Sequence, residues 1–328
     1  TATSGDVNTS NATVATAGTL SLAAKTNSSQ TLNNTQGVLS AGQLNVDVAN
    51  FNNTHGQAIQ TGTGNTSIVL TSPTGTLNNT NGTIATNSAN LNLSADTLTN
   101  TDGKIQHAGT DTLSIAANSL ANLRGQIVGN QSTTLQLVSL DNTQGSSVYA
   151  SKNLTITATD AVTNTGFIAA QGNVRITANS LSSSSTSVLG AGVKTDGTLT
   201  ASGNLSFVTT QTLSATGQNL AAGNITLSGS SVNLSGSQTG GANIGITATA
   251  GDVNTSGATV ATSGTVGTLH ITAKATNNQT LNNTQGVLSA GQLNVDVANF
   301  NNTYGQAIQT GAGDTSLVLT SPTGTLNN

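Results

Sequence analysis

L-T-N-T-D-G-K-I-Q-H-A-G-T-D-T-L-S-I-A-A, residues 98–117, is the stretch that decides the fold. Leu98, Ile105, Leu113 and Ile115 are its large apolar residues, and they sit in short runs that alternate with polar neighbours. Period two is the mark of a strand with one face inward. Between the runs lie Asn100, the pair Asp102-Gly103 and the pair Ala108-Gly109, residue types that favour turns. Three short strands and three turns close no core alone. Stacked on copies of themselves they do.

Such copies fill the chain. The opening motif recurs as L-N-N-T-Q-G at 32–37, F-N-N-T-H-G at 51–56, L-N-N-T-N-G at 77–82, L-A-N-L-R-G at 120–125 and L-D-N-T-Q-G at 140–145, with a shortened V-T-N-T-G at 162–166. The apolar leaders Leu32, Phe51, Leu77, Leu98, Leu120, Leu140 and Val162 are 19, 26, 21, 22, 20 and 22 residues apart, so the turns vary in length while the strands keep phase. An apolar residue follows each turn at Ile59, Ile84, Ile105, Ile127, Val148 and Ile168, and a second alternating run such as G-Q-L-N-V-D-V-A at 42–49 follows that. The pattern predicts an all-β fold, a parallel β-helix (solenoid) of about 20-residue coils. The leaders, with Leu281 and Phe300 later, are expected to form one core column. The third motif residue is expected at a corner, its amide bonded to its equivalents in neighbouring coils: Asn34, Asn53, Asn79, Asn100, Asn122, Asn142, Asn164, Asn283, Asn302 and Asn328.

A longer period overlies this one. Residues 31–79 return as 280–328 with four differences, His55/Tyr304, Thr63/Ala312, Asn65/Asp314 and Ile68/Leu317. Residues 1–328 are therefore expected to form a single β-helical rod, an internal piece of a longer filament: coils of the first style over 3–180, an irregular coil or loop at 181–197, Gly-rich coils over 198–250, and a second super-period from 251 to 328. No cap covers either end of that rod in this reading.

Composition agrees. Aromatics are 2% and charged residues 5%, Cys, Met and Trp are missing, and all eleven acidic residues are Asp. Helix formers are scarce, whereas Thr, Val and Ile suit a pleated surface and Gly and Asn suit its corners. Disorder also fits a polar, weakly charged chain, but not one with this alternation. The net charge of −4 and seven scattered Lys and Arg offer no stripe for a phosphate backbone, so nucleic acid is not an expected partner. No apolar run approaches the length of a membrane span.

The unit L-x-N-x-x-G-x-I-x-A/S-x-G-x-L-x-L-x-A resembles the filamentous haemagglutinin repeat of two-partner-secreted (TpsA-type) adhesins and contact-dependent growth inhibition toxins. The resemblance covers most of the chain and is weakest at 181–197 and 203–250. It implies a right-handed β-helical stalk, secreted through an outer-membrane transporter that acts on a region outside this segment, and displayed on the bacterial surface. It also implies that any toxin or receptor-binding region lies elsewhere.

Chemistry is hard to find. Asp6 and Asp252 are repeat equivalents, as are Asp47 and Asp296, which marks them as structural positions. Asp141 has no second acid at the same phase of a neighbouring coil, so neither catalysis nor a cofactor is expected. His55, His107 and His270 fall at different phases, and His55 becomes Tyr304 in the duplicate; all three are expected on the surface, with no metal. The sequons at Asn8, Asn11 and Asn153 follow from a chain rich in Asn and Thr. Tyr149 and Tyr304 are candidates for stacking on sugars, whereas Phe51 and Phe300 belong to the core. Stacked T-x-T pairs, which an ice-binding face needs, are absent at Thr155/Thr157 and Thr247/Thr249. Two functions remain: a stalk that projects a distal region, or a module whose own face, near 181–197, recognises a glycan or a host or bacterial receptor.

Overall fold

The computed structural model describes residues 1–200, 202–276 and 278–328. Ala201 and Asn277, which fall within the segments 198–250 and 251–328, lie outside it. Among the described residues there is no helix; the fold is a parallel β-solenoid of about 14 turns with coils of about 22 residues. The chain divides into two compact units, Thr1–Thr159 and Asp160–Asn328.

In the first unit every coil contributes a strand to each of three parallel rows. The first row stacks Val7, Leu32, Phe51, Leu77, Leu98, Leu120 and Leu140 in register. The second stacks Val14, Leu39, Ala58, Ile84, Ile105, Ile127 and Val148. The third aligns Val46, Ile68, Leu93, Ile115, Leu135 and Ile156. From Leu32 onward nearly all of these side chains are within 2% of full burial, Leu135 and Ile156 included. Burying one such aliphatic side chain stabilises by about 2 kcal/mol, so each coil gains most of its stability from its neighbours.

One expected core position moves. Ile59 is half-buried and pairs with Ser40 and Ala85, while Ala58 takes the inward place against Leu39 and Ile84. The turn fixes the phase, and the strand begins one residue earlier than the largest side chain suggests. The long coil here is explained by two loops. Gln60 pins the first: its Oε1 accepts the Leu44 N–H at 2.8 Å and its Nε2 donates to Gly62 O at 3.1 Å. In the duplicate, Gln309 accepts the Leu293 N–H at 3.0 Å in the same way.

The second unit follows the same plan. Its first row stacks Val162, Leu181, Leu213, Val232, Val253, Leu281, Phe300 and Leu326. The third aligns Ile176, Phe207, Leu227, Ile246, Ile271 and Val295. The second row turns polar midway, where Leu189 is followed by Asn219 and Thr239 before Val260. The strands Ser180–Ser183 and Val188–Ala191 stay in register with their neighbours. The coil is interrupted after Val188–Ala191 by a short hairpin at 193–199, in which Val193 and Leu199 form an antiparallel bridge.

Candidate functional site

The feature that recurs from coil to coil is the internal amide ladder. In the first unit Asn34, Asn53, Asn79, Asn100, Asn122 and Asn142 are completely buried. Each Nδ2 donates to the Oδ1 of the next Asn: 2.8 Å from Asn34 to Asn53, 2.8 Å to Asn79, 2.8 Å to Asn100, 2.7 Å to Asn122 and 2.7 Å to Asn142. The second amide hydrogen is shared between carbonyls of the same corner, as from Asn79 to Gly82 O at 3.2 Å and to Lys104 O at 3.1 Å. A buried amide is costly unless its groups are satisfied, and here they are. In the second unit Asn164 is buried and its Nδ2 donates to Gly166 O at 3.3 Å. The ladder resumes with Asn283 to Asn302 at 2.7 Å and Asn302 to the exposed Asn328 at 2.8 Å.

These amides point inward, and positive φ falls elsewhere. The left-handed residue of each corner is the one two places after the Asn: Gln36, His55, Asn81, Asp102, Arg124, Gln144, Gln285 and Tyr304, with φ from 52° to 62°. The corner Asn, although a residue type that tolerates positive φ, does not adopt it. His55 and Tyr304 occupy one such solvent-facing tip, Tyr304 at 86% exposure, and the exchange therefore disturbs no packing. The Gly of the motif is needed for room. A Cβ at Gly103 would lie 2.2 Å from Asn79 O and 2.5 Å from Asn100 Oδ1, and Gly56, Gly82 and Gly125 are crowded alike. Asn and Gly are thus one device: the amide fills the space that the missing side chain leaves.

A second amide series runs along the outside of the second unit. The Asn204 N–H donates to Asn173 Oδ1 at 2.9 Å, the Asn224 N–H to Asn204 Oδ1 at 2.8 Å, Asn243 Nδ2 to Asn224 Oδ1 at 2.8 Å, and the Thr268 N–H to Asn243 Oδ1 at 2.9 Å. The sequence signal was the repeated Asn before each third-row strand, in Q-G-N-V-R, S-G-N-L-S and A-G-N-I-T. Asp6 and Asp252 do the same work at the first row, accepting the Thr31 and Thr280 N–H groups at 2.8 and 2.7 Å.

The remaining charged and aromatic groups are scattered. Asp47 pairs with Lys25 and Asp296 with Lys274 at the surface. Arg124 grips Asp102 through two bonds of 2.7 Å and reaches Gln144 with its other nitrogen. The guanidinium's hydrogen bonds, reinforced by its charge, hold the Asp102 carboxyl below the ordinary carboxylate value. Asp141 is exposed, as are His55, His270, Asn8, Asn11 and Asn153. His107 departs from expectation. It is 2% exposed, ends its second-row strand, and places Nε2 2.8 Å from Ser88 O. Tyr149 is also buried, at 4%. Among the described residues no cluster of three or more His or Asp could hold a metal ion, and no helix is long and apolar enough to cross a membrane.

An open groove of about 560 Å³ lies on the third row of the first unit. Leu70 and Pro73 wall one end, and Asp96, Asn118, Gln136 and Thr157 line it. Asn118 Nδ2 donates to Asp96 Oδ1 at 2.6 Å across one coil.

Parallel coils around aliphatic rows, locked by an internal amide ladder, define a β-solenoid repeat protein. The chain is 34% identical over 198 residues to Toxin CdiA of Yersinia pestis, covering 60% of this chain and 5% of that protein. This similarity and the solenoid together fit a filamentous haemagglutinin-like repeat region of a contact-dependent inhibition or TpsA-type protein. The chain spans about a twentieth of the curated relative it matches. No protein-family model and no solved structure matches it.

Proposed function

We propose that this chain is a structural stalk segment of a secreted, surface-exposed bacterial filament, an adhesin or contact-dependent inhibition protein, and that it projects a distal binding or toxin region without being an enzyme. The observation that carries this reading is the amide ladder, which from Asn34 to Asn142 repeats one satisfied contact per coil and so extends the stack by repetition alone. Similarity to Toxin CdiA supports it. Export then requires an outer-membrane transporter of the two-partner type. The test is antibody labelling of intact cells that express the parent gene with and without that transporter. Surface label that depends on the transporter supports the proposal; label found only after lysis in both strains overturns it.

A second reading has the groove in its favour. Asp96 and Asn118 present a carboxylate and an amide one coil step of about 4.8 Å apart, and Gln136 adds a second amide beside Ala116, two residues back along the row, a polar set suited to the hydroxyls of an extended glycan. Glycan-array binding lost in Asn118→Ala would support an adhesive module in its own right; an array without signal would remove it.

A further inference from the structure

We propose that the hairpin at 193–199 is a processing site, where an endopeptidase that cuts after lysine hydrolyses the Lys194–Thr195 bond and leaves the second unit stacked. Water supplies the balance: its oxygen ends on the Lys194 carboxylate and its protons leave Thr195 as an amine that ionises. Endopeptidases take their substrates as extended chain, so a folded protein is cut where several consecutive residues leave the structure at small cost.

Residues 194–199 are all exposed, Leu199 at 50%. Few contacts hold them. Lys194 N–H donates to Thr198 O at 2.8 Å, Gly197 N–H to Lys194 O at 2.9 Å, and Asp196 accepts from Thr198. Gly197 adopts φ +82° at the tip, and the hairpin is rooted below it, where Val193 is buried and Thr200 N–H bonds to Gly192 O. No strand of a coil has to open for this tip to be presented.

The other cationic residues lack that freedom. Lys104 and Arg175 lie inside the strands Lys104–His107 and Val174–Ala178. Arg124 is held by Asp102, and Lys274 by Asp296. The Lys152 N–H is bonded to Gln131 O in a tight corner. Lys25 also begins an exposed loop, but Asp47 holds it, and Gln30 Oε1 accepts from Thr26 N at 2.5 Å and Asn27 N at 3.1 Å.

The nick costs the stack little. On either side of it, Val174–Ala178 pairs with Leu205–Thr209, Ser180–Ser183 with Leu213–Ala215, and Val188–Ala191 with Gln218–Ala221. These pairings join the two products after the bond is gone.

The probe is trypsin at low ratio on the full chain, followed by intact mass, with Lys194→Gln in parallel. The first products are expected to be 1–194 and 195–328, formed about tenfold faster than any others, co-eluting in native gel filtration and separating in denaturant. Lys194→Gln should retain the strand-type circular dichroism of the parent and lose the fast phase. A first cut after Lys25, Lys152 or Lys274, an unchanged rate in Lys194→Gln, or fragments that separate without denaturant would each overturn the proposal.

Discussion

Thr255 Oγ1 donates to Asn283 Oδ1 at 2.9 Å, at the coil where the amide ladder of the second unit resumes. Thr9 makes the same 2.9 Å bond to Asn34 in the first unit. A hydroxyl stands in for the missing preceding amide, so the first Asn of each run has its carbonyl satisfied. Removing that hydroxyl by Thr255→Val should lower stability by about 1 kcal/mol, read as a shift in the urea midpoint at constant slope.

Loss of an interior rung should cost more. Asn100→Ala strands the Asn79 donor on one side and the Asn122 acceptor on the other, both fully buried. The expected destabilisation is about 3 kcal/mol, and a value near that of Thr255→Val would count against cooperative bonding along the ladder.

Two glycines at equivalent corners should fail for different reasons. In Gly103→Ala the new methyl meets Asn79 O at 2.2 Å, which neither neighbour can relieve, for a cost of about 3 kcal/mol. Gly257→Ala meets nothing within 4 Å but keeps φ +65°, for a cost of about 1 kcal/mol. Gly257→Asn should then recover most of its loss, and Gly103→Asn none.

Core rows give a simpler contrast. Leu98→Ala, fully buried between Leu77 and Leu120, should cost about 3 kcal/mol, whereas the half-buried Ile59→Ala should cost under about 1 kcal/mol. Equal losses would mean that the inward phase lies at Ile59 after all.

Asp102 offers a test by pH. Its folded-state value is depressed, so the stabilisation from Arg124 is present above the ordinary carboxylate value of 3.8 and is lost as pH falls through the lower folded value. Carboxyl NMR should find Asp102 titrating below 3.8 in the parent and returning towards it in Arg124→Gln. Added salt should weaken the difference, since both groups are exposed.

The solenoid was legible because its leaders recur at nearly constant spacing and its alternation survives changes of turn length. Side-chain direction at the corner was less so. Residue preference assigns positive φ to Asn34 or Asn53, yet Gln36 and His55 adopt it, because the buried amide gains more from its neighbours in the stack than from turn geometry. His107 looked like decoration for want of a partner in sequence; its acceptor, Ser88 O, lies in the preceding coil, 19 residues away. The outer series from Asn173 to Asn243 was hidden in a similar way, since each bond joins residues about one coil apart.

Every rung of the ladder donates towards the carboxyl-terminal side and accepts from the amino-terminal side. The column of amides therefore carries an arrow. A coil inserted within a run in the opposite sense would set NH₂ against NH₂ or oxygen against oxygen, so the ladder admits only coils wound in one direction.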